Sequence, residues 1–99
     1  MRFLRVHVQQ YNLIPEKMGV WDSSAGGTLA TLLGTTCYVP ELESAEMGFA
    51  EYSSCIPAVV DWFGLVDLLK MDAQLEGTVC PGGYNDTTSA ESQLFGAPI

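Results

Sequence analysis

Two short, nearly uncharged apolar runs, residues 18–21 and 58–63, stand about forty residues apart with helix-forming sequence between them. That spacing constrains the fold more than any other feature. Antiparallel neighbours can be joined by a two-residue turn, whereas parallel strands need a crossover of a dozen or more residues, usually a helix. Runs that are apolar without alternation are read as strands buried on both faces, the habit of parallel sheets covered by helices. The pattern predicts βαβ architecture.

The intervening elements follow from local chemistry. After residues 18–21 comes Asp22-Ser23-Ser24-Ala25-Gly26-Gly27, a turn of small residues. Ala30, Leu29, Leu32 and Leu33 then favour a helix over residues 25–33, with Gly34 as its stop. Ahead of the first run, Phe3, Leu4, His7, Val8 and Tyr11 recur at helical spacing. They predict an amphipathic helix over residues 2–11, closed by Asn12 in a left-handed cap with Pro15 beyond. Leu42, Ala45, Phe49 and Tyr52 suggest a second, acidic helix, and Leu65, Leu68 and Leu69 a short helical patch after a turn at Gly64. Residues 77–87 are rich in turn formers, Pro81 among them, and read as a loop. Thr88 with Glu91 has capping-box spacing for a last helix ending at Gly96.

Ninety-nine residues suffice for one domain over 1–99 and no second complete one. Four Lys plus Arg against twelve Asp plus Glu give a net charge of −8, the wrong sign for nucleic acid or an anionic membrane surface. Charged residues are 16% of the chain where about 25% is usual, so the sequence has little solvated surface for its size and suits the interior of something larger. Asp61 and Asp67 interrupt the apolar stretches, so no membrane span is expected. His7, Gln9 and Gln10 break what would have to be the core of a signal peptide, which makes the chain as it stands cytoplasmic in character. Cys37, Cys55 and Cys80 are odd in number, lack Cys-x-x-Cys spacing and accompany a single His7. No zinc site is expected, and the count favours buried or reduced thiols over a disulfide framework.

The turn at residues 22–26 carries the chemistry. Nucleophilic serine hydrolysis needs a hydroxyl held out of the chain on a tight strand-to-helix bend, with a free backbone N–H beside it for the developing oxyanion. Ser24 is the candidate nucleophile, and the Ala25 N–H at the helix start is the candidate oxyanion donor. The alternative is that Ser23 or Ser24 merely caps the helix.

The blocks Arg2-Phe3-Leu4-Arg5, Tyr11-Asn12-Leu13-Ile14-Pro15-Glu16-Lys17-Met18-Gly19-Val20-Trp21, Ser24-Ala25-Gly26-Gly27 and Leu29-Ala30-Thr31-Leu32-Leu33-Gly34 occur in order. So do Ala58-Val59-Val60-Asp61-Trp62-Phe63-Gly64 and Ser89-Ala90-Glu91-Ser92-Gln93-Leu94-Phe95-Gly96. Together they resemble the α/β-hydrolases of the bacterial carbohydrate-esterase and feruloyl-esterase-like group, related to hormone-sensitive-lipase-type esterases. The resemblance implies a central fragment of a doubly wound α/β-hydrolase around its nucleophile elbow. It implies a small-molecule ester as the substrate of a full-length parent and no metal or organic cofactor.

The same resemblance places the second oxyanion donor before Met1, and the acidic triad member and the histidine after Ile99. His7 lies on the wrong side of Ser24 for the triad order and is expected to pack against the sheet on a face shared with Phe3 and Tyr11. Asp61 and Asp67 are read as structural carboxylates. Asp22 stands where the family has glycine, so it is expected to strain the turn while capping the helix. Leu65 stands where the family often has proline. The expected function is that of a serine-esterase fragment, inactive alone. The alternative is a non-catalytic module that pairs with itself or another chain through open strand edges.

Overall fold

The structure, a computed structural model, describes residues 1–80 and 82–99; Pro81 of the sequence-predicted loop lies outside them. The chain forms two compact units, Met1–Gly64 and Leu65–Ile99.

In the first unit, α1 (Arg2–Val6) and α2 (Val8–Tyr11) replace the continuous helix expected over residues 2–11. The break is at His7, whose ring Nδ1–H donates to the Phe3 carbonyl at 2.7 Å. Asn12 closes α2 in the left-handed conformation, φ 52°, as read from sequence. A 3-10 turn at Pro15–Lys17 leads into β1 (Gly19–Ser23). Then α3 runs from Ser24 to Thr35, and β2 (Ala58–Trp62) returns parallel to β1 with Gly19 opposite Ala58 and Asp22 opposite Asp61. Helices and two parallel strands are therefore present.

Alternation along the strands sorts their side chains. Asp22, Asp61 and Val59 meet α3, and Val20 shares their face. Ala30 of α3 is buried, as are Met18 just before β1 and Ile56 just before β2. The opposite face presents Trp21, Val60 and Trp62, which are 65%, 47% and 52% exposed. The expectation of strands buried on both faces is corrected: a single helix covers one side of the pair, and a mostly apolar run does not show that both of its faces are covered.

Two further expectations fail in this unit. The acidic helix through Leu42 and Tyr52 does not form; Pro40–Leu42 and Ala45–Met47 are separate 3-10 turns. Phe49 is left-handed at φ 50°, a conformation no right-handed helix contains. The segment is instead closed by a disulfide, Cys37–Cys55, with Cα atoms 4.9 Å apart. The reading of the cysteines as buried or reduced thiols is thereby corrected for this pair, while Cys80 is free and exposed. Arg2 anchors the same segment by pairing with Glu43 and donating to the Ser44 carbonyl at 2.8 Å.

The second unit has a 3-10 turn at Leu68–Lys70, α4 (Met71–Leu75) and α5 (Ala90–Phe95). The helical patch expected from Leu65 starts later, and the cap of α5 is Ser89 rather than Thr88, its hydroxyl accepting the Ser92 N–H at 3.0 Å. Gly96 closes α5 as expected, left-handed at φ 73°. The one buried side chain of this unit among the described residues is Ser92. Polar bonds do the organising. Asp72 accepts the Gly83, Tyr84 and Asn85 N–H groups at 2.8, 2.9 and 3.0 Å, and the Tyr84 carbonyl accepts the Ser89 and Ser92 hydroxyls.

This arrangement has a pH signature. The N–H donors, Asn85 foremost and then Tyr84, hold the Asp72 carboxyl below its ordinary value of 3.8. A carboxylate lowered in the folded state contributes stability that is present above the unfolded value and lost as pH falls through the folded one. The Gly83, Tyr84 and Asn85 amides are therefore expected to stay protected from hydrogen exchange at neutral pH and to lose protection progressively below about pH 4. Asp72→Asn should remove that pH dependence; unchanged protection in the variant would exclude Asp72 as its source.

Among the described residues no helix is long and apolar enough to cross a membrane.

Candidate functional site

The carboxyl end of β1 turns into α3 within one residue. Ser23 is extended, φ −124° and ψ 160°, and Ser24 is left-handed at φ 53° while already beginning the helix. A non-glycine residue there carries local strain, because its Cβ crowds the backbone. Small residues on either side let the chain turn so sharply. Ser24 is exposed, and the Ser23 side chain makes no capping hydrogen bond at this helix start. Ala25 is the second residue of α3, so its N–H has no carbonyl four residues back within the helix. Both residues stand at the amino end of α3, the positive end of the helix.

Asp22 does not bear the strain expected of it. It lies within β1, opposite Asp61 of β2, and the left-handed residue is Ser24. Its carboxylate lies over Gly26, where any Cβ would overlap it, and accepts the Ser23 N–H at 2.8 Å rather than capping α3. A side chain at position 22 is accommodated because position 26 has none.

Behind the bend, Asp61 fastens helix to sheet. One carboxylate oxygen accepts the Thr31 hydroxyl and the other the Gly64 N–H, each at 2.7 Å. Gly27 and Gly64 leave the room: a Cβ on Gly27 would overlap Asp61 Oδ1, and one on Gly64 would lie 2.7 Å from the Thr28 N. Asp67 pairs with Lys70 at 3.0 Å. Both aspartates make structural bonds. The sequence places Asp61 within an apolar run and glycines at 27 and 64; that combination is the signal of a fitted carboxylate, legible only once helix and strand are aligned.

His7 is not brought to Ser24. Its ring lies 4.2 Å from Phe3 and 6.4 Å from Tyr11, the shared helical face expected, and what that face meets is Phe49 of the cystine-closed segment, at 5.9 Å from His7. No hydrogen bond joins His7 or a carboxylate to the Ser24 hydroxyl among the described residues. Nor do the described residues contain a group of three His, Cys, Asp or Glu side chains suited to a metal ion.

A cavity of about 560 Å³ lies among Arg2, Tyr38, Glu43 and Tyr52, and Ser24 is not among its lining residues. Cys55, also in that lining, precedes β2, so the cavity sits toward the amino ends of the strands. Ser24 sits at the carboxyl end of β1, the opposite end of the strand pair. Open α/β sheets bind their ligands outside the carboxyl ends of their strands.

The parallel pair, the covering helix and a bend at the strand's carboxyl end define an α/β protein whose reactive groups would gather at that end. The chain belongs to the BD-FAE family, whose model matches residues 1–99. This family is of the α/β-hydrolase type and esterase-like. A search of curated proteins gave no match.

Proposed function

We propose that this chain is the nucleophile-elbow portion of a serine carboxylic-ester hydrolase of the carbohydrate-esterase and feruloyl-esterase-like group. Ser24 is the residue that attacks the acyl carbon, and the Ala25 N–H is one donor to the resulting oxyanion. The observation that carries the reading is the left-handed Ser24, exposed at the junction of β1 and α3. The substrate is a small ester, the acyl-enzyme is later released by water, and no cofactor is required.

A serine hydroxyl is a weak nucleophile until an adjacent base takes its proton. His7, the single histidine, is bonded to the Phe3 carbonyl. The chain by itself is therefore expected to be inactive. Incubated with a fluorophosphonate probe and digested for mass spectrometry, it should show no stoichiometric adduct on Ser24. Complete labelling within minutes would reveal a base that this reading lacks.

A second reading is favoured by one observation, the bare sheet face of Trp21, Val60 and Trp62 beside two open strand edges. In it the chain is a non-catalytic module that associates with itself or with another polypeptide. Unpaired edges and uncovered apolar surface both drive association.

A further inference from the structure

We propose that the Cys37–Cys55 cystine is a redox latch: while it is closed, residues 38–54 wall two cavities, and when a dithiol opens it those walls come away from a βαβ body that stays folded. The inference goes beyond both readings above and does not rest on either, because it concerns the amino ends of the strands and not the bend at Ser24.

The segment between the two cysteines holds two 3-10 turns and neither α-helix nor strand. Tyr38, Gly48 and Phe49 all have positive φ, which stops regular structure from propagating through it. What the segment builds is cavity wall. All residues lining the cavity of about 560 Å³, except Arg2, lie between Tyr38 and Cys55. A second cavity, of about 400 Å³, is lined by Leu42, Met47 and Phe49 of the segment together with Phe3 of α1 and Leu33 of α3. Arg2, Glu43 and Ser54 line both, and the Glu43 carboxylate joins them by accepting the Arg2 guanidinium and the Ser54 hydroxyl. Arg5, one turn along α1 from Arg2, donates to the Ser53 and Cys55 carbonyls. Such polar bonds are individually modest, so they hold the segment in place while the cystine limits where it can go.

The βαβ body makes its own contacts without the bond. Gly34, in the last turn of α3, lies so close to Val59 of β2 that a Cβ there would overlap Val59 Cγ2. Asp61 of β2 accepts the Thr31 hydroxyl, and β1 and β2 pair along their whole length. The cystine therefore closes the loop between a helix and a strand that already touch, and opening it acts first on the loop, as a local rather than a global unfolding. Both cysteines are half-buried, so a thiolate from solution can reach the bond. One thiolate of a dithiol attacks one sulfur and expels the other as a thiolate. The second thiol of the reagent then displaces the attached protein sulfur, leaving two protein thiols and a cyclic disulfide, with both electrons supplied by the dithiol.

Amide NMR spectra of the full chain carrying Cys80→Ser, which removes the free thiol, test the proposal when recorded oxidised, reduced with dithiothreitol and re-oxidised. On reduction the amides of residues 38–54 should move to the positions of unstructured chain, those of β1, α3 and β2 should keep their dispersed positions, and re-oxidation should restore the first spectrum. An endoprotease that cleaves after glutamate should cut after Glu41, Glu46 and Glu51 about tenfold or more faster in the reduced chain, measured against its cleavage after Glu76 of the second unit. A chain carrying both Cys37→Ser and Cys55→Ser should give the reduced spectrum with or without dithiothreitol. If that variant does not fold, the reduced spectrum of the Cys80→Ser chain still decides. Segment amides that stay in place on reduction overturn the latch. So does loss of the β1, α3 and β2 amides together with the segment, which would make the cystine a staple of the whole unit.

Discussion

Replacing Cys37 and Cys55 by serine, or reducing their disulfide, is expected to lower the stability of the first unit by about 3 kcal/mol. The bond spans 18 residues, and closing a loop of that size in the unfolded chain removes roughly this much free energy of disorder. Its position adds to the effect. Cys37 follows α3 by two residues and Cys55 precedes β2 by three, so the bond ties the end of the helix to the start of the strand it must cover. Between them the chain holds only two 3-10 turns and a few polar anchors such as Arg2 with Glu43. A unit with few buried apolar side chains depends heavily on such a tether. Thermal melts of oxidised and reduced protein should differ by more than about 12 °C at the usual slope for chains of this size. Melts within about 2 °C of each other would show that the cystine does not hold the segment.

The second large effect concerns Gly27. In an ordinary helix interior, Gly→Ala is stabilising by about 1 kcal/mol. Here the new methyl would overlap Asp61 Oδ1 and come 3.2 Å from the Gly64 backbone, and overpacking of that kind costs about 1 to 3 kcal/mol, occasionally more. Because Asp61 is also held by Thr31 and Gly64, it cannot swing away without losing both bonds. Overlap outweighs propensity, so Gly27→Ala should destabilise by about 2 kcal/mol in urea melts. Asp61→Ala alone should cost about 1 to 3 kcal/mol, through the Thr31 hydroxyl and Gly64 N–H it leaves unpaired. Combining the two removes the overlap. In the Asp61→Ala background, Gly27→Ala should then cost less than about 0.5 kcal/mol, a coupling well above the error of such cycles. Strict additivity of the two changes would contradict the fitted carboxylate.

What was legible in the sequence were features with local causes. Asn12 and Gly96 end their helices where a left-handed cap is tolerated, and the crossover length between apolar runs dictates a parallel pair. The tight turn after β1 follows from its run of small residues, so the surroundings of Ser24 and Ala25 could be anticipated. Features with distant causes could not. The spacing of Leu42, Ala45, Phe49 and Tyr52 is helical, but the cystine and the left-handed Phe49 impose another path. An odd cysteine count does not say which two sulfurs meet. Asp72 reaches partners 11 to 13 residues away, and Asp61 reaches Thr31 at a separation of 30, so neither role is written in a neighbouring residue. The bare tryptophan face escaped for a different reason: a mostly apolar strand looks the same whether one side is covered or both.

The strained bend at Ser24 is tested most directly by comparing the melting temperatures of Ser24→Gly and Ser24→Val. Glycine occupies φ 53° without the steric cost of about 1 to 2 kcal/mol that a side chain incurs, and it loses roughly half of that gain to the greater freedom of its unfolded state. Valine, branched at Cβ, is among the residues least able to adopt this conformation. Ser24→Gly should melt about 4 °C above the parent and Ser24→Val well below it. A glycine variant that melts below the parent, with valine tolerated, would mean that residue 24 lies in ordinary helix and that no bend presents its hydroxyl.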